Sequence, residues 1–180
     1  MNTDTTKKRA VYIGLGSNIE QPYSQIKKAI SALNDLPETE VLTDSGYYIS
    51  KPMGPEDQPD YVNAVVEIET ALDAAELLKN CQRIEQQQGR IKTRHWGERT
   101  IDLDILLYVD QQILTDDLTL PHPGIWQRDF VYIPLLKLNP EIEIPGKGML
   151  NAIVESTVES VTDVISDFSC QFAGPISRDY

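Results

Sequence analysis

The order of the apolar segments along the first 110 residues limits the fold of this 180-residue chain more than any other feature. Apolar residues at helical spacing indicate one helix that begins near Pro22 and a second helix over residues 73–88. Strand-like runs, in which apolar residues alternate with polar ones or follow one another, occupy residues 11–15, 41–50, 61–70 and 101–108. The predicted order is therefore strand, helix, strand, strand, helix, strand.

This order is that of the ferredoxin-like βαββαβ fold, an α+β architecture with an antiparallel sheet and both helices on one face. The other face of the sheet is then expected to be free for ligands. On the strand at residues 61–70, Tyr61 and Asn63 are expected on that free face, because the alternate residues Val62 and Ala64 belong to the core face.

The length of the chain favours one domain over residues 1–180. Its core is expected to span about residues 10–148, with a C-terminal helix and tail over 149–180. A short helix is predicted over residues 130–138. Residues 170–180 are expected to form a loose end, as chain termini often do.

The segment Glu98–Tyr108, with the sequence ERTIDLDILLY, places two carboxylates inside an apolar strand. Asp102 and Asp104 share one face, roughly 7 Å apart along the strand. The opposite face is predicted to be the core face, with Ile101, Leu103, Ile105 and Leu107. Two interpretations follow from these residues alone. The aspartates either lie on the solvated face of a half-exposed strand or bind magnesium, which prefers oxygen ligands.

The charge distribution places a basic segment directly before these aspartates. The formal net charge of −12 argues against a general nucleic-acid-binding protein, which would present a basic face. However, Arg90, Lys92, Arg94 and Arg99 lie within ten residues of one another. This segment is either a solvated basic loop or a binding site for anions next to divalent metal.

Several common functional motifs are absent from the sequence. It contains no P-loop, no protein-kinase motif set and no CxxC or HExxH zinc motif, and Ile19 stands where a dinucleotide-binding fingerprint requires its third glycine. No apolar run is long enough to span a membrane, and no apolar segment of the signal-peptide type precedes the first strand. The two cysteines, Cys81 and Cys170, form no framework, which favours a reducing cytoplasm.

Several segments, in this order, make the chain similar to one family. The sequence resembles the 6-hydroxymethyl-7,8-dihydropterin pyrophosphokinases of folate biosynthesis across roughly residues 10–148. The matching segments are YIGLGSN at 12–18, GPEDQPDYVNA at 54–64, QRIE at 82–85, GR at 89–90, WGERTIDLD at 96–104 and LPHP at 120–123.

The resemblance implies a magnesium-dependent transfer of pyrophosphate from ATP to the hydroxymethyl group of the pterin, with release of AMP. It implies that Asp102 and Asp104 bind two Mg²⁺ ions. The implied catalytic residues are Arg90, Arg99, Asp102 and Asp104. The implied pterin-binding residues are Pro52, Met53, Tyr61, Asn63, Trp96 and Phe130. The implied ATP-binding residues are Gln82, Glu85, Arg90, Lys92, Arg99, Thr119, His122 and Arg128.

The sequence departs from the family pattern at three positions in the basic segment. Glu98 stands where the family often has proline, His95 where arginine is common, and Lys92 replaces another arginine. Lysine cannot make the planar, two-point contact that arginine makes with phosphate. These changes affect the expected affinity and loop behaviour rather than the expected chemistry.

Two other functions remain alternatives on the sequence alone. One is a two-metal nucleotidyltransferase, although Gly16 and Ser17 lie far from Asp102 in the sequence. The other is a ferredoxin-like nucleic-acid-binding module, which the acidic composition disfavours. The expected partners are ATP and the hydroxymethyl pterin, with no nucleic acid and no membrane, and the protein is expected to be a cytoplasmic monomer.

Overall fold

A computed structural model of the protein describes residues 7–90, 97–160 and 170–177. The strands within these ranges are β1 (Arg9–Ser17), β2 (Thr39–Asp44), β3 (Tyr47–Ser50), β4 (Tyr61–Thr70), β5 (Asp102–Tyr108), β6 (Ile113–Leu114), β7 (Thr119–Leu120), β8 (Glu143–Ile144), β9 (Gly148–Met149) and β10 (Gln171–Gly174). The helices are α1 (Pro22–Asn34), α2 (Ala74–Gln87), α3 (Asp129–Leu138) and α4 (Leu150–Ser160).

The main sheet is antiparallel and has the strand order β10-β3-β4-β1-β5, with β2 also paired to β4. Together with α1 and α2, this order confirms the predicted ferredoxin-like βαββαβ core. The central strand β1 is paired on both sides, so the ends of β1, β4 and β5 meet at one edge of the core. Asn63 of β4 and Asp102 of β5 both lie opposite Gly16 of β1.

The helices α1 and α2 cover one face of the sheet, as predicted. Helix α1 begins with Pro22, which tolerates the first helical turn because the N–H it lacks would be unpaired there. The stripe Ile26, Ile30 and Leu33 is fully buried in the main core. The main core also contains Leu77, Cys81 and Ile84 of α2.

The other face of the sheet is not free along its whole length, which corrects the prediction. Helix α3 packs on it through Val131 and Leu135, and a second core forms there with Tyr12, Val65 and Leu106 of the sheet. Val65 belongs to the face that was expected to be available to ligands. Among the described residues, the part of this face near Asn63 and the aspartates lines a cavity, whereas α3 packs on the part that contains Val65.

The predicted second strand is interrupted at Ser45 and Gly46, which separate β2 from β3. Gly46 has φ 78°, a left-handed conformation that glycine adopts without strain. The Ser45 hydroxyl accepts a hydrogen bond from the Val65 backbone N–H at 2.9 Å, so it replaces part of the ladder to β4. This irregularity lets both β2 and β3 pair with β4.

A second irregularity changes the face of Leu107. The register between β1 and β5 shifts between Tyr12 and Ile13, so Tyr12 lies opposite Leu107 and Ile13 opposite Ile105. Leu106 is therefore an extra residue in β5, as in a β-bulge, and the alternation restarts after it. Leu107 packs in the second core rather than on the predicted face, whereas Ile101, Leu103 and Ile105 lie in the main core as predicted.

The C-terminal segment is part of the sheet rather than a loose end. Strand β10 pairs with β3 and forms the edge of the main sheet. Ile176, just after it, is buried in the main core. Among the described residues, none of the helices is long and apolar enough to cross a bilayer.

Candidate active site

A cavity of about 750 Å³ lies where β1, β4, β5, α2 and α3 meet. Its lining includes Gly14, Gly16, Ser50, Lys51, Met53, Gly54, Tyr61, Asn63, Leu78, Gln82, Glu85, Gln86, Arg90, Arg99, Asp102, Asp104, Leu106, His122, Arg128, Phe130 and Val131. A volume of this size is typical of a small-molecule site. Most of the residues implied by the family resemblance therefore surround one space.

Two glycines of β1 form the floor of the cavity between the polar residues of its neighbours. Gly16 lies opposite both Asn63 and Asp102, and Gly14 lies opposite Asp104. A Cβ atom on Gly16 would lie 3.4 Å from the Asn63 carboxamide oxygen. A Cβ atom on Gly14 would lie 3.4 Å from the Leu106 side chain, so glycine at both positions leaves this part of the cavity lining unfilled.

Asp102 contacts two arginines on the same side of the cavity. Its carboxylate forms ion pairs with Arg90, at 2.8 Å, and with Arg99. Burial alone would lower the pKa of the Arg99 guanidinium, but the Asp102 carboxylate raises it above its usual value. The predicted meeting of acidic and basic groups therefore exists for Asp102, Arg90 and Arg99.

Glu85 is buried and joins α2 to the aspartate strand. The residue is only 5% exposed, although carboxylates on helices are usually solvated. Its carboxylate accepts a hydrogen bond from the Leu103 backbone N–H at 2.7 Å and pairs with Arg90. Burial raises the pKa of Glu85, while the Leu103 N–H and the charge of Arg90 oppose that rise.

The Nε atom of Arg90 is buried and has no hydrogen-bond partner within the described residues. The other two guanidinium nitrogens of Arg90 contact Glu85 and Asp102. A buried donor without a partner costs free energy, so a bound acceptor such as a phosphate oxygen would stabilise this arrangement.

The carboxylate oxygens of Asp102 and Asp104 suit Mg²⁺, with the remaining coordination positions of the ion filled by other ligands. Burial, followed by the charge of Asp102, raises the pKa of Asp104 to about 7. A divalent cation would relieve this repulsion between like charges. No group of three or more His, Cys, Asp or Glu side chains in the described part of the chain is arranged to hold a metal. Two carboxylates fit Mg²⁺, which usually keeps several waters and binds substrate phosphates.

Tyr61, Asn63 and Phe130 lie at another part of the cavity lining. The Tyr61 hydroxyl donates to the Gly97 carbonyl at 2.8 Å, which ties β4 to the segment before the aspartates. The Asn63 amide donates to the Ser50 hydroxyl at 2.9 Å. Two aromatic rings and a buried carboxamide can bind a flat heterocycle by stacking and by hydrogen bonds to its edge.

His122 and Arg128 contribute nitrogen donors to the cavity. Burial, followed by the charge of Arg128, lowers the pKa of His122, so the imidazole is neutral at neutral pH. Its Nδ1 accepts a hydrogen bond from the Gly124 backbone N–H at 2.9 Å. A neutral imidazole with Nδ1 as acceptor carries its proton on Nε2, which can donate to a phosphate oxygen.

Asn18 connects the three segments that border the cavity, and sequence reasoning gave it no role in the site. Its amide donates to the Gln58 side chain and to the Pro59 carbonyl, each at 3.0 Å. Its carboxamide oxygen accepts from the Arg99 backbone N–H at 2.9 Å. Only the long-range contacts of the folded chain reveal this role, although Asn18 lies in one of the matching segments.

Two of the implied site residues that the structure describes do not line the cavity, and two others cannot be compared with it. Pro52 and Thr119 lie outside its lining. Lys92 and Trp96 fall outside the described residues, as do His95 and Arg94 of the basic segment. Conversely, Ser50, Lys51 and Leu78 line the cavity although the sequence gave them no binding role.

Comparison with known proteins identifies the family. Residues 12–140 match the family model described as 7,8-dihydro-6-hydroxymethylpterin-pyrophosphokinase (HPPK). A 2-amino-4-hydroxy-6-hydroxymethyldihydropteridine pyrophosphokinase of Haemophilus influenzae is 46% identical over 144 residues, which cover 80% of this chain and 90% of the relative. An enzyme of the same name from Pseudomonas aeruginosa is 44% identical over 135 residues, covering 75% of this chain and 83% of the relative.

Solved structures of a larger protein share the fold. The Plasmodium falciparum HPPK-DHPS A437G structure with pteroate has a TM-score of 0.67 and 13% sequence identity. The match covers 91% of this chain but only 45% of the Plasmodium chain, so this chain spans less than half of that protein's length. The sequence relatives and the family match over residues 12–140 show that this chain belongs to the 7,8-dihydro-6-hydroxymethylpterin-pyrophosphokinase family.

Proposed function

We propose that this protein transfers the pyrophosphoryl group of ATP to 6-hydroxymethyl-7,8-dihydropterin and releases AMP, as a step of folate biosynthesis. The observation that carries the proposal is that the aspartate pair, the arginines and the Tyr61–Asn63–Phe130 group line one cavity. Phosphate-binding and ring-binding side chains in one cavity suit a reaction between a nucleotide and a heterocycle.

In the proposed reaction, the pterin hydroxymethyl oxygen attacks the β-phosphorus of ATP. A bond forms between these two atoms, and the bond from the β-phosphorus to the oxygen bridging the α- and β-phosphates breaks. That oxygen leaves with AMP, and the hydroxyl proton is released. Such a transfer depends on positioning and on neutralising phosphate charge rather than on a protein nucleophile.

The pterin is proposed to lie between Tyr61 and Phe130, with Asn63 at its edge and Met53, Pro52 and Trp96 nearby. Stacking fixes the plane of the ring, and the carboxamide fixes its orientation within that plane. Asn63 is buried and its amide already donates to Ser50, so the side chain is fixed before the pterin binds. A fixed side chain loses little conformational freedom on binding.

The phosphates of ATP are proposed to bind Arg90, Arg99, Arg128 and His122. The Nε atom of Arg90 already lacks a partner within the described residues. The remaining proposed ATP ligands are Gln82, Glu85, Lys92 and Thr119. Of these, Glu85 is held by its contacts with Leu103 and Arg90, so it supports the arginine as well as lining the cavity.

Two Mg²⁺ ions are proposed to bind Asp102 and Asp104 together with the phosphates of ATP. When bound, the ions neutralise charge on the phosphates and help to align them. Arg90 and Arg99 contact Asp102 in this structure. The phosphates would give these two arginines another acceptor besides Asp102. We further propose that the protein acts as a monomer in the cytoplasm, which size-exclusion chromatography and cell fractionation would test.

The experiment that tests this function measures AMP formed from ATP and Mg²⁺ with and without the hydroxymethyl pterin. We expect AMP only when the pterin is present, in equal amount to the pterin diphosphate, and none after chelation of the metal. Gly16 lies directly opposite Asp102 despite their distance in sequence, so the alternative of a two-metal nucleotidyltransferase needs its own test. The identity of the product provides that test. Release of free pyrophosphate would indicate nucleotidyl transfer and contradict the proposal.

A further inference from the structure

The C-terminal segment 170–177 lies outside the part of the chain that matches the family, residues 12–140. It nevertheless contacts three elements of the core, β3, α1 and α3. Strand β10 pairs with β3, with Gln171 opposite Ile49 and Phe172 opposite Tyr48. We call residues 170–177 the C-terminal strap.

The strap is anchored to the core at its C-terminal end. Ile176 is 4% exposed in the main core. The Lys27 ammonium of α1 donates to the Ser177 hydroxyl at 3.0 Å. The strap also covers Gly46, where an added Cβ would lie 2.7 Å from the Phe172 ring and 2.8 Å from the Gly174 carbonyl oxygen. The irregularity between β2 and β3 therefore provides the space that the strap occupies.

At its other end the strap holds α3. The Cys170 backbone N–H donates to one Asp129 carboxylate oxygen at 3.2 Å, and the other oxygen accepts from the Phe130 backbone N–H at 2.7 Å. The Lys137 ammonium, two turns further along α3, lies 3.6 Å from the centre of the Phe172 ring. The Phe172 ring in turn meets the Tyr48 ring edge-on, with centres 5.4 Å apart.

Through these contacts the strap reaches both β3 and α3, the two elements that border the proposed pterin site. Strand β3 ends at Ser50, whose hydroxyl accepts a hydrogen bond from the buried Asn63 amide. Helix α3 begins at Asp129, and its next residue is Phe130, which lines the cavity. The strap pairs with Tyr47, Tyr48 and Ile49 of β3 and contacts α3 at Asp129 and Lys137, so it bridges the two elements that carry Ser50 and Phe130.

We propose that the C-terminal strap is a positioning element for the pterin, and that Asp129 is the positioning residue through which it holds Phe130 in stacking distance of the ring. The proposal rests on the function proposed above. It predicts a selective effect on the pterin, because the contacts of the strap given above are with β3, α1 and α3, whereas Asp102 and Asp104 lie on β5.

The test compares the full chain with Asp129→Asn and with a chain that lacks residues 170–180. Asparagine keeps one acceptor oxygen for Phe130 but presents an amide to Cys170, so it removes the tie to the strap. We expect the KM for 6-hydroxymethyl-7,8-dihydropterin to rise about tenfold in both variants, less than the roughly hundredfold that a misplacement of about 1 Å can cost. The KM for ATP should change by less than about twofold in the same variants.

A double variant separates positioning from general destabilisation. If Asp129 acts through the strap, Asp129→Asn in the shortened chain should raise the pterin KM no further than shortening alone. The matched control is Asp116→Asn, an equal change of charge at an exposed position between β6 and β7, which should leave both KM values unchanged. If the shortened chain does not fold, Phe172→Ala in the full chain takes its place, with the same expected result.

Equal increases in the KM for ATP and for the pterin would overturn the proposal, as would a normal pterin KM in Asp129→Asn. Independent, additive effects of the two changes would also overturn it. These outcomes differ from a failure of the proposed function, in which the unaltered protein would form no AMP in the presence of the pterin.

Discussion

At the scale of single residues, the two aspartates of β5 differ in what they contact, although both line the cavity. Asp102 pairs with Arg90 and Arg99, whereas burial and the charge of Asp102 raise the pKa of Asp104 to about 7. The folded protein therefore holds a proton on Asp104 over a pH range in which the unfolded chain does not. A divalent cation bound as proposed would compete with this proton for the same carboxylate.

This competition predicts a dependence of metal stabilisation on pH. The stability that the raised pKa of Asp104 contributes is present below the usual carboxyl range and is lost as the pH rises towards about 7. If Mg²⁺ binds as proposed, it should restore stability at pH values where the proton has left. We therefore expect Mg²⁺ to raise the Tm of the ATP-free protein more at about pH 8 than at about pH 5.5, as measured by thermal unfolding. Asp104→Asn should show an equal, small effect of Mg²⁺ at both pH values, and a larger effect at the lower pH in the unaltered protein would contradict this assignment.

The protonation state of His122 leads to a second prediction. Its pKa is lowered by burial and by Arg128, so the residue should act as a neutral hydrogen-bond donor rather than as a cation. His122→Ala should raise the KM for ATP about tenfold, which corresponds to loss of one hydrogen bond to a charged acceptor. His122→Gln, which retains a donor, should lose less. Equal losses in the two variants, or a strong pH dependence of the KM for ATP that His122→Gln removes, would show that the imidazole is charged.

At the scale of elements, irregularities in the strands affect which residues line the site. The extra residue at Leu106 ends the simple alternation of β5, and the interruption at Ser45 and Gly46 divides β2 from β3. Helix α2 carries Glu85 close to its C-terminal end, and there Gly89, with φ 81°, allows the chain to turn so that Arg90 reaches Asp102.

The N-terminus of α2 provides a test of stability that is separate from the site. The Asp73 carboxylate accepts a hydrogen bond from the Glu76 backbone N–H at 2.8 Å and caps the helix. Asp73→Ala should lower the free energy of unfolding by about 1 kcal/mol, measured by urea denaturation. Asp73→Asn, which keeps the acceptor, should cost less, and both variants should retain the KM values of the unaltered protein. An unchanged stability in Asp73→Ala would show that the cap contributes nothing.

Sequence periodicity predicted those features of the elements that depend on local pattern. It placed β4 at residues 61–70 correctly and predicted the helix that becomes α2, and it put Asn63 and the aspartates on the cavity side. It placed Leu107 on the wrong face because a bulge depends on pairing with β1, which no local pattern records. It missed the burial of Glu85 for a similar reason, since the partners Leu103 and Arg90 come from other segments.

At the scale of the whole molecule, the sheet has a core on each face. One core lies under α1 and α2, and the other under α3, so the ligand site is confined to the edge where β1 ends and β5 begins. The sequence predicted the first core but not the second, because α3 was recognised as a helix without any indication of where it packs. The tail likewise carried no signal for pairing, although β10 completes the sheet beside β3.

Asp102 and Asp104 are proposed to bind metal and phosphate next to the pterin. The most direct measurement is the rate of pterin-dependent AMP formation by Asp102→Asn and by Asp104→Asn, with circular dichroism to verify the fold and Asp116→Asn as the charge-matched control. We predict that turnover falls about a hundredfold or more in each aspartate variant, the order seen when a preorganised electrostatic contact to the reacting group is removed. Full activity in both variants would contradict the account.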